Sequence, residues 1–218
     1  MADKQLESTL AAGAFQKQWF AELRRRVFDE RQPYALVQAD VPFELFDLLD
    51  IPAVSNQWWA SMLAAKRQAP RYLDALDADG LHGDLCRYCS LGYASTRYPG
   101  AAEHAPWGGL PTPRLLCARL TCDCIQRVFG LWADAFGAEV FEIDNPGAGE
   151  LPPRWWELGR YRWRELVEPH RLAFTASSLE RLVERLEAIS GRILDRDALR
   201  ARLGAMVAAA RVAEARHG

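Results

Sequence analysis

Hydrophobic residues along the chain follow two kinds of spacing. Short continuous apolar runs, typical of buried parallel strands, alternate with stretches in which apolar residues recur every three or four positions, as in amphipathic helices. The runs that predict strands are Tyr34–Gln38, Ile51–Val54, Arg114–Ala118 and Glu139–Ile143. The stretches that predict helices are 5–31, 43–50, 57–68, 71–77, 84–98 and 122–136. This alternation predicts an α/β fold, with a short parallel sheet of about four strands flanked by helices.

The C-terminal part of the chain has a different pattern. Residues 144–153 are rich in turn-forming residues. Apolar residues then recur at helical spacing in two segments separated by a Ser-Gly break, and Pro169 interrupts the first segment. We therefore predict that residues 1–150 form an α/β domain that begins with a helix and carries a candidate metal site. A C-terminal helical pair over residues 151–218 should pack on the same domain.

Composition and charge narrow the classes of function. Half of the 218 residues are hydrophobic, which is enough for a sizeable core, and the net charge of −2 argues against nucleic acid as a partner. The first residues are charged and lack the long apolar core of a signal peptide. No apolar run approaches the about 18 residues that a membrane span requires. We expect a cytoplasmic protein with neither nucleic acid nor membrane as a partner.

All five cysteines fall within one short stretch of the chain. Cys86 and Cys89 form a Cys-x-x-Cys pair, Cys122 and Cys124 flank a single aspartate, and Cys117 lies in an apolar run. An odd number of cysteines in a chain expected to be cytoplasmic favours metal binding over a disulfide framework. The Cys-x-x-Cys spacing alone fits zinc, a redox pair or an iron–sulfur cluster. The Cys-x-Cys spacing is tighter than that of a zinc finger.

The thiols of Cys86, Cys89, Cys122 and Cys124 are the candidate metal ligands. Four thiolates can hold a [4Fe–4S] cluster, and a structural zinc site made by the same four is the alternative. Cys86 and Cys122 lie where a turn meets a helix, and a helix N-terminus stabilises thiolates. We expect both junctions to lead from a strand into a helix, at the carboxyl edge of the sheet. Free cysteines are also commonly buried as small apolar residues, which is our interpretation of Cys117.

The eight tryptophans include two adjacent pairs, Trp58-Trp59 and Trp155-Trp156. Adjacent residues of a helix do not share a face. One member of each pair is therefore a candidate for contact with a ligand or partner, and packing in the core or in an interface is the alternative.

Five segments of the chain together carry a family resemblance. In order, they are VPFELFDLLDIPAV, DLCRYCSLGYAS, LTCDCIQRVFGLW, EVFEIDNP and LERLVERLEAISGRILDRDALR. Their order and spacing resemble the 2-hydroxyacyl-CoA dehydratase family, which also includes the ATP-dependent benzoyl-CoA reductases. The resemblance covers nearly the whole chain.

The resemblance implies a specific chemistry. Enzymes of this family are two-subunit, oxygen-sensitive proteins with [4Fe–4S] clusters, and an ATP-hydrolysing activator supplies one electron from ferredoxin or flavodoxin. The cluster passes the electron to the thioester carbonyl, giving a ketyl radical anion that leads to loss of the hydroxyl or to ring reduction. By position, Cys86 and Cys122 are then cluster ligands, and Glu44 is an acid that acts in proton transfer. The alternative for Glu44 is a first-turn carboxylate stabilised by the helix dipole.

The chain also departs from the family pattern. Family subunits usually continue into a second domain that supplies a third cysteine, whereas this chain stops near the end of the first. Either the remainder lies on another polypeptide, or Cys89 and Cys124 replace the missing ligand, or the site has lost its cluster. Cys89 and Cys124 are additions to the family pattern, which favours a four-cysteine site within this chain.

Three hypotheses follow from the residues and the resemblance. The first is an iron–sulfur subunit of a CoA-thioester dehydratase or reductase, with a second family subunit, the activator and an acyl-CoA or aromatic-CoA substrate as partners. The second is a non-catalytic subunit that docks to such an enzyme and has lost the cluster. The third is a zinc-binding protein.

Overall fold

The central element of the structure is a four-stranded parallel sheet. The computed structural model describes residues 6–81, 83–98, 100–144 and 150–217. Within these residues the strands pair in the order β2-β1-β3-β4. Their bounds are β1 Ala35–Val37, β2 Ala53–Ser55, β3 Leu115–Arg119 and β4 Val140–Ile143. The predicted α/β fold is therefore confirmed, and each strand overlaps the apolar run that predicted it.

Helices account for most of the remaining described chain. They are α1 Glu7–Arg24, α2 Phe43–Leu48, α3 Asn56–Ala65, α4 Ala69–Ala78, α5 Arg87–Arg97, α6 Ala101–His104, α7 Asp123–Phe136, α8 Trp155–Tyr161, α9 Pro169–Ser190 and α10 Arg196–His217. A π-helical turn at Arg25–Asp29 extends α1. In the portion of the chain covered by the structure, no helix is both long and apolar enough to cross a lipid bilayer.

The C-terminal segments form the expected pair of long helices. Pro169 begins α9 and does not interrupt it, because proline at the first helical position has no N–H that the helix needs. Gly191 ends α9 in a left-handed conformation, as the Ser-Gly break predicted. Residues 145–149 of the predicted turn-rich linker lie outside the described residues. The division into segments 1–150 and 151–218 stays a prediction.

The two faces of the sheet carry separate hydrophobic layers. Leu36 and Leu116 pack in a layer with residues of α3, α4, α5 and α7. The residues that alternate with these along β1 and β3 pack on the other face with residues of α2 and α9. They are Ala35, Val37, Leu115 and Cys117. Successive side chains of a strand point to opposite faces, so Cys117 lies across the sheet from α5 and α7.

A cluster of aromatic rings fixes α1 against α3. Neighbouring ring centroids in the cluster lie between 4.7 and 6.3 Å apart, and the rings are those of Trp19, Phe20, Phe28, Trp58, Trp59 and Trp107. The first tryptophan pair therefore belongs to internal packing. Trp155 and Trp156, with 45% and 61% of their surface exposed, stay candidates for an external contact.

The packing predicts a large difference between two leucine substitutions. Leu36 on the central strand is fully buried, so Leu36→Ala should lower the free energy of unfolding by about 2–5 kcal/mol. Leu10 on α1 is 55% exposed, and Leu10→Ala should change it by less than about 0.5 kcal/mol. Urea denaturation followed by circular dichroism measures both. Similar losses in the two variants would contradict the assigned core.

Candidate metal centre

Three cysteine thiols lie side by side at one end of the helical layer. The Sγ atoms of Cys86, Cys89 and Cys124 all lie within 4.8 Å of one another. Cys86 is exposed, Cys124 is half-buried and Cys89 is buried. The thiol group, as we call these three residues, is therefore open to solvent on one side and closed by the protein on the other.

Two helix N-termini position the thiol group. Cys86 immediately precedes α5, Cys89 lies in the first turn of α5, and Cys124 is the second residue of α7. The N-terminal end of a helix carries a partial positive charge, which stabilises thiolates placed there. α5 and α7 pack against each other, and this packing brings the two cysteine segments together.

The two junctions differ from the prediction in one respect. The segment before α7 leads out of β3, as expected, whereas α4 is the element that precedes α5. The prediction of a strand before the first cysteine segment is therefore wrong. α5 reaches the site by packing against α3, α4 and α7, and not by following a strand of the sheet.

A buried glutamine fixes the point at which the chain enters α7. The Gln38 Oε1 accepts a hydrogen bond from the backbone N–H of Arg119 at 2.7 Å. Its Nε2 donates to the Thr121 hydroxyl at 2.8 Å. Gln38 is only 2% exposed, whereas Thr121 is exposed, so the glutamine reaches from the interior to the surface at this point. They join the carboxyl ends of β1 and β3 just before Cys122, which occupies the N-cap position of α7.

A buried asparagine holds the first turn of α5. The Asn56 Nδ2 donates a hydrogen bond to the backbone carbonyl of Cys89 at 3.0 Å, and the residue is fully buried. Its Oδ1 has no hydrogen-bond partner among the described residues. A Cβ atom at Gly92 would lie 2.1 Å from this oxygen, so α5 can come this close only because residue 92 lacks a side chain.

Sequence reasoning missed the role of Asn56. Asparagine and serine at the start of a helix are typical N-cap residues, so the Ser55-Asn56 pair predicts only a helix cap. Ser55 is the N-cap residue, since its hydroxyl accepts a hydrogen bond from the backbone N–H of Trp58. The Asn56 amide is therefore free to bond to the carbonyl of Cys89.

Local interactions make the thiols unequal. The backbone N–H of Cys89 donates to the Cys86 sulfur and lowers the pKa of the Cys86 thiol. Burial raises the pKa of the Cys89 and Cys124 thiols, and neighbouring sulfur charges add to the rise. Burial also raises the pKa of Cys117 to about 12. Within the thiol group, Cys86 is therefore the residue most easily deprotonated.

Two other predicted site residues lie outside the thiol group. Cys122 is exposed, and its sulfur is not among the three that lie within 4.8 Å. Glu44 is half-buried in the first turn of α2 and lines two grooves of about 410 and 380 Å³, neither of which is lined by the thiol group. α2 follows β1 and α7 follows β3, so Glu44 and Cys124 begin helices at the same edge of the sheet.

The donor set of the thiol group fits a thiophilic metal. Thiolates bind zinc and hold iron–sulfur clusters. Three sulfurs on one zinc ion, each at about 2.3 Å, stand about 3.8 Å apart, and those of a [4Fe–4S] cluster stand farther apart because they bind different irons. The limit of 4.8 Å lies above the single-ion spacing. With only these three cysteines as ligands, a four-coordinate zinc ion would lack its fourth ligand, and a [4Fe–4S] cluster would have one iron without a cysteine.

The fold and the thiol group together define an α/β protein with a candidate thiolate metal centre. A family model described as 2-hydroxyglutaryl-CoA dehydratase, D-component, matches residues 38–212. The chain therefore belongs to this family. The matched range includes Glu44 and all the candidate cysteines, and it agrees with the resemblance noted in the sequence. No curated protein matches the chain.

The contact between α5 and Asn56 predicts opposite outcomes for two glycine substitutions. Gly92→Ala places a methyl group against Asn56 Oδ1 and the Trp132 ring, so it should lower the free energy of unfolding by about 1–3 kcal/mol. Gly130→Ala on α7 meets nothing within 4 Å and should raise it by about 0.5–1 kcal/mol, because alanine restricts the unfolded chain. Chemical denaturation measures both. Equal stability of the two variants would mean that α5 does not approach Asn56 so closely.

Proposed function

We propose that this chain is the iron–sulfur subunit of a complex that dehydrates 2-hydroxyacyl-CoA thioesters or reduces an aromatic CoA thioester. The observation that carries the proposal is a group of three adjacent thiols in a chain of the dehydratase D-component family. Family membership supports the CoA-thioester substrate class and a complex of more than one subunit. The thiol group supports a metal cluster in this chain.

Cys86, Cys89 and Cys124 are the proposed ligands of a [4Fe–4S] cluster. A bound cluster would supply one-electron transfer to the thioester carbonyl of the substrate. The resemblance implies Cys122 as the ligand from the second segment, but Cys124 is the residue of that segment whose sulfur lies beside Cys86 and Cys89. Three protein ligands also leave one iron free for a substrate or a small exogenous ligand, which four would not.

The surrounding residues prepare the site for an anionic group. The helix N-termini of α5 and α7 stabilise negative charge on the sulfurs, and the Cys89 N–H donates to the Cys86 thiolate. The Asn56 amide holds the backbone of Cys89 so that this N–H keeps its direction. Exposure of Cys86 leaves the open side of the site accessible to a substrate or an electron donor.

Glu44 is the proposed proton-transfer residue. The groove of about 380 Å³ beside it is lined mainly by aliphatic side chains, among them Leu45, Leu179 and Val183. Such a groove suits the acyl or aryl part of a thioester, with the Glu44 carboxylate at its border. It lies in the layer of α2 and α9, so the thioester carbonyl would have to cross the carboxyl edge of the sheet to reach the thiol group on α5 and α7. A carboxylate in this position can take a proton from carbon or deliver one, provided that the substrate lies within hydrogen-bond reach.

The proposed partners follow from the same chemistry. A second family subunit would complete the hetero-oligomer, and an ATP-hydrolysing activator would deliver low-potential electrons from a ferredoxin or flavodoxin. We place the complex in the cytoplasm, where a reducing environment favours the thiol form that metal binding requires.

One observation favours a second candidate function, a structural zinc site. The sulfur separations of at most 4.8 Å are nearer to those around a single ion than to those around a cluster. Cys122, two residues from Cys124, would be the fourth ligand in that case. Metal analysis separates this candidate from the first.

The proposed ligand set predicts which cysteine substitutions remove iron. Protein purified without oxygen should contain about four irons per chain, with matching acid-labile sulfide and a brown colour. Cys86→Ala, Cys89→Ala and Cys124→Ala should each lose most of this iron. Cys122→Ala and Cys117→Ala are the matched controls and should retain it.

Each alternative result has a distinct meaning. Loss of iron in Cys122→Ala but not in Cys124→Ala would show that the second segment binds the cluster through Cys122, the residue that the family resemblance implies. Zinc without iron would support the structural zinc site. Metal-free protein bound to another family subunit would support the non-catalytic docking role.

Substitution of Glu44 should separate proton transfer from cluster assembly. Glu44→Gln should lower the rate of water loss from a 2-hydroxyacyl-CoA by about 10²–10⁴-fold, because the amide cannot accept the proton. The assay contains the partner subunit, the activator, ATP and a reduced electron donor. Iron content should stay at the level of the unmodified protein. Asp47→Asn, which changes an exposed carboxylate on the same helix, should keep most of the activity.

A further inference from the structure

We propose that Cys86 and Cys89 form a reversible disulfide when the thiol group holds no metal, and that a low-molecular-weight disulfide such as oxidised glutathione is the oxidant. The inference goes beyond the cluster proposal, because it concerns the metal-free chain. It assigns this pair a second chemistry, thiol–disulfide exchange.

The placement of the two cysteines suits such a bond. Their sulfurs lie within 4.8 Å of each other, and they belong to a Cys-x-x-Cys segment at the start of α5. Formation of the bond therefore requires the sulfurs to approach by less than 3 Å, since a disulfide is about 2.05 Å long. Cys86 lies at the N-cap position with non-helical backbone angles, and its carbonyl accepts a hydrogen bond from the Ser90 N–H at 3.0 Å, so the backbone is anchored and the sulfur is the part that has to move.

The difference in exposure sets the order of events. Cys86 is exposed and can meet a small oxidant, whereas Cys89 is only 7% exposed and is shielded from it. Cys86 should therefore react first with the external disulfide. Cys89 should then react within the protein, because the Cys86 sulfur lies within 4.8 Å of its own.

The exchange is balanced in two steps. The Cys86 thiolate attacks one sulfur of oxidised glutathione, which forms a mixed disulfide and releases one glutathione thiolate. Cys89 then loses its proton to solvent and attacks the Cys86 sulfur, and the second glutathione thiolate leaves. The two protons from the cysteines end on the two released glutathiones. The protein has lost two electrons, and the oxidant has gained them.

Cys124 is the competing thiol, because its sulfur also lies within 4.8 Å of Cys86. It belongs to α7, so a bond to Cys86 would link two helices. The Cys86–Cys89 bond closes a ring within one segment and leaves the packing of α5 on α7 unchanged. We therefore assign the disulfide to Cys86 and Cys89, with Cys124 kept as a thiol.

The disulfide would also control access of metal to the site. Oxidation removes two of the three donors, so a chain in this state can offer only Cys124 from the thiol group. Metal uptake should then require prior reduction. The same two residues would thus bind the metal in a reducing environment and protect each other from further oxidation when the metal is absent.

Peptide mapping tests the assignment directly. The reduced, metal-free full chain is incubated anaerobically with oxidised glutathione, remaining thiols are alkylated, and digested peptides are identified by mass spectrometry. We expect a Cys86–Cys89 disulfide and an unreacted Cys124. Cys122 is exposed, so it should also react with oxidised glutathione and serves as an internal check that the oxidant was active. A stable glutathione adduct on Cys86, or a Cys86–Cys124 bond as the main product, would overturn the proposal.

Two variants test the order of the steps. Cys89→Ser should accumulate the glutathione adduct on Cys86, and Cys86→Ser should leave Cys89 unreacted. Reaction of Cys89 with glutathione in Cys86→Ser would contradict the role assigned to exposure. Because the mapping of the unmodified chain is decisive by itself, the proposal stays testable if a variant fails to fold.

Zinc ions serve as the probe for the effect on metal uptake. Oxidised protein should bind zinc at least tenfold more weakly than reduced protein, and dithiothreitol, removed before the measurement, should restore the affinity. Cys117→Ala, which changes a buried cysteine across the sheet from the thiol group, should behave like the unmodified chain. Equal affinity of both forms would refute the control of metal access. None of these results depends on iron, so a failure here and a failure of the cluster proposal are distinguishable.

Discussion

The close approach of α5 to Asn56 at Gly92 is the contact on which the thiol group depends. With no side chain at Gly92, the buried amide fits against the helix and bonds to the carbonyl of Cys89. This contact fixes the first turn of α5 relative to α3, which follows the edge strand β2. α5 also packs on α7, where the Trp132 indole donates to the Thr96 hydroxyl at 3.0 Å. The position of two ligand-bearing helix ends thus follows from one tight contact and the packing around it.

The sheet determines which cysteines can take part. Strand residues alternate between faces, so Cys117 on β3 enters the layer of α2 and α9, while the helix that follows β3 starts on the other side. The Gln38 bridge between β1 and β3 then sets the start of α7. Cys117 and Cys124 are close in sequence, but they lie on opposite sides of the sheet.

The sequence was sufficient to predict the sheet, and insufficient to predict the contacts of the site. Apolar runs identify the central strands β1 and β3 because a buried parallel strand must be apolar on both faces, whereas the edge strand β4 also carries the exposed Glu142. Spacing alone does not show which element precedes a helix, so a strand was wrongly expected before Cys86. The distinction between Cys122 and Cys124 depends on helix phase. Cys122 has the extended backbone of an N-cap residue, whereas Cys124 lies inside the helix, and the pattern of residues does not reveal which sulfur meets α5.

The convergence of the three thiols has a thermodynamic consequence. Packing of α5 on α7 brings Cys124 beside Cys86 and Cys89, so the free energy of this packing offsets part of the entropic cost of closing the loop between them. Helix packing and a bound metal would therefore share that cost. By the same linkage, a bound metal stabilises the start of both helices together, so resistance of this end of the molecule to local unfolding should report on occupancy of the site.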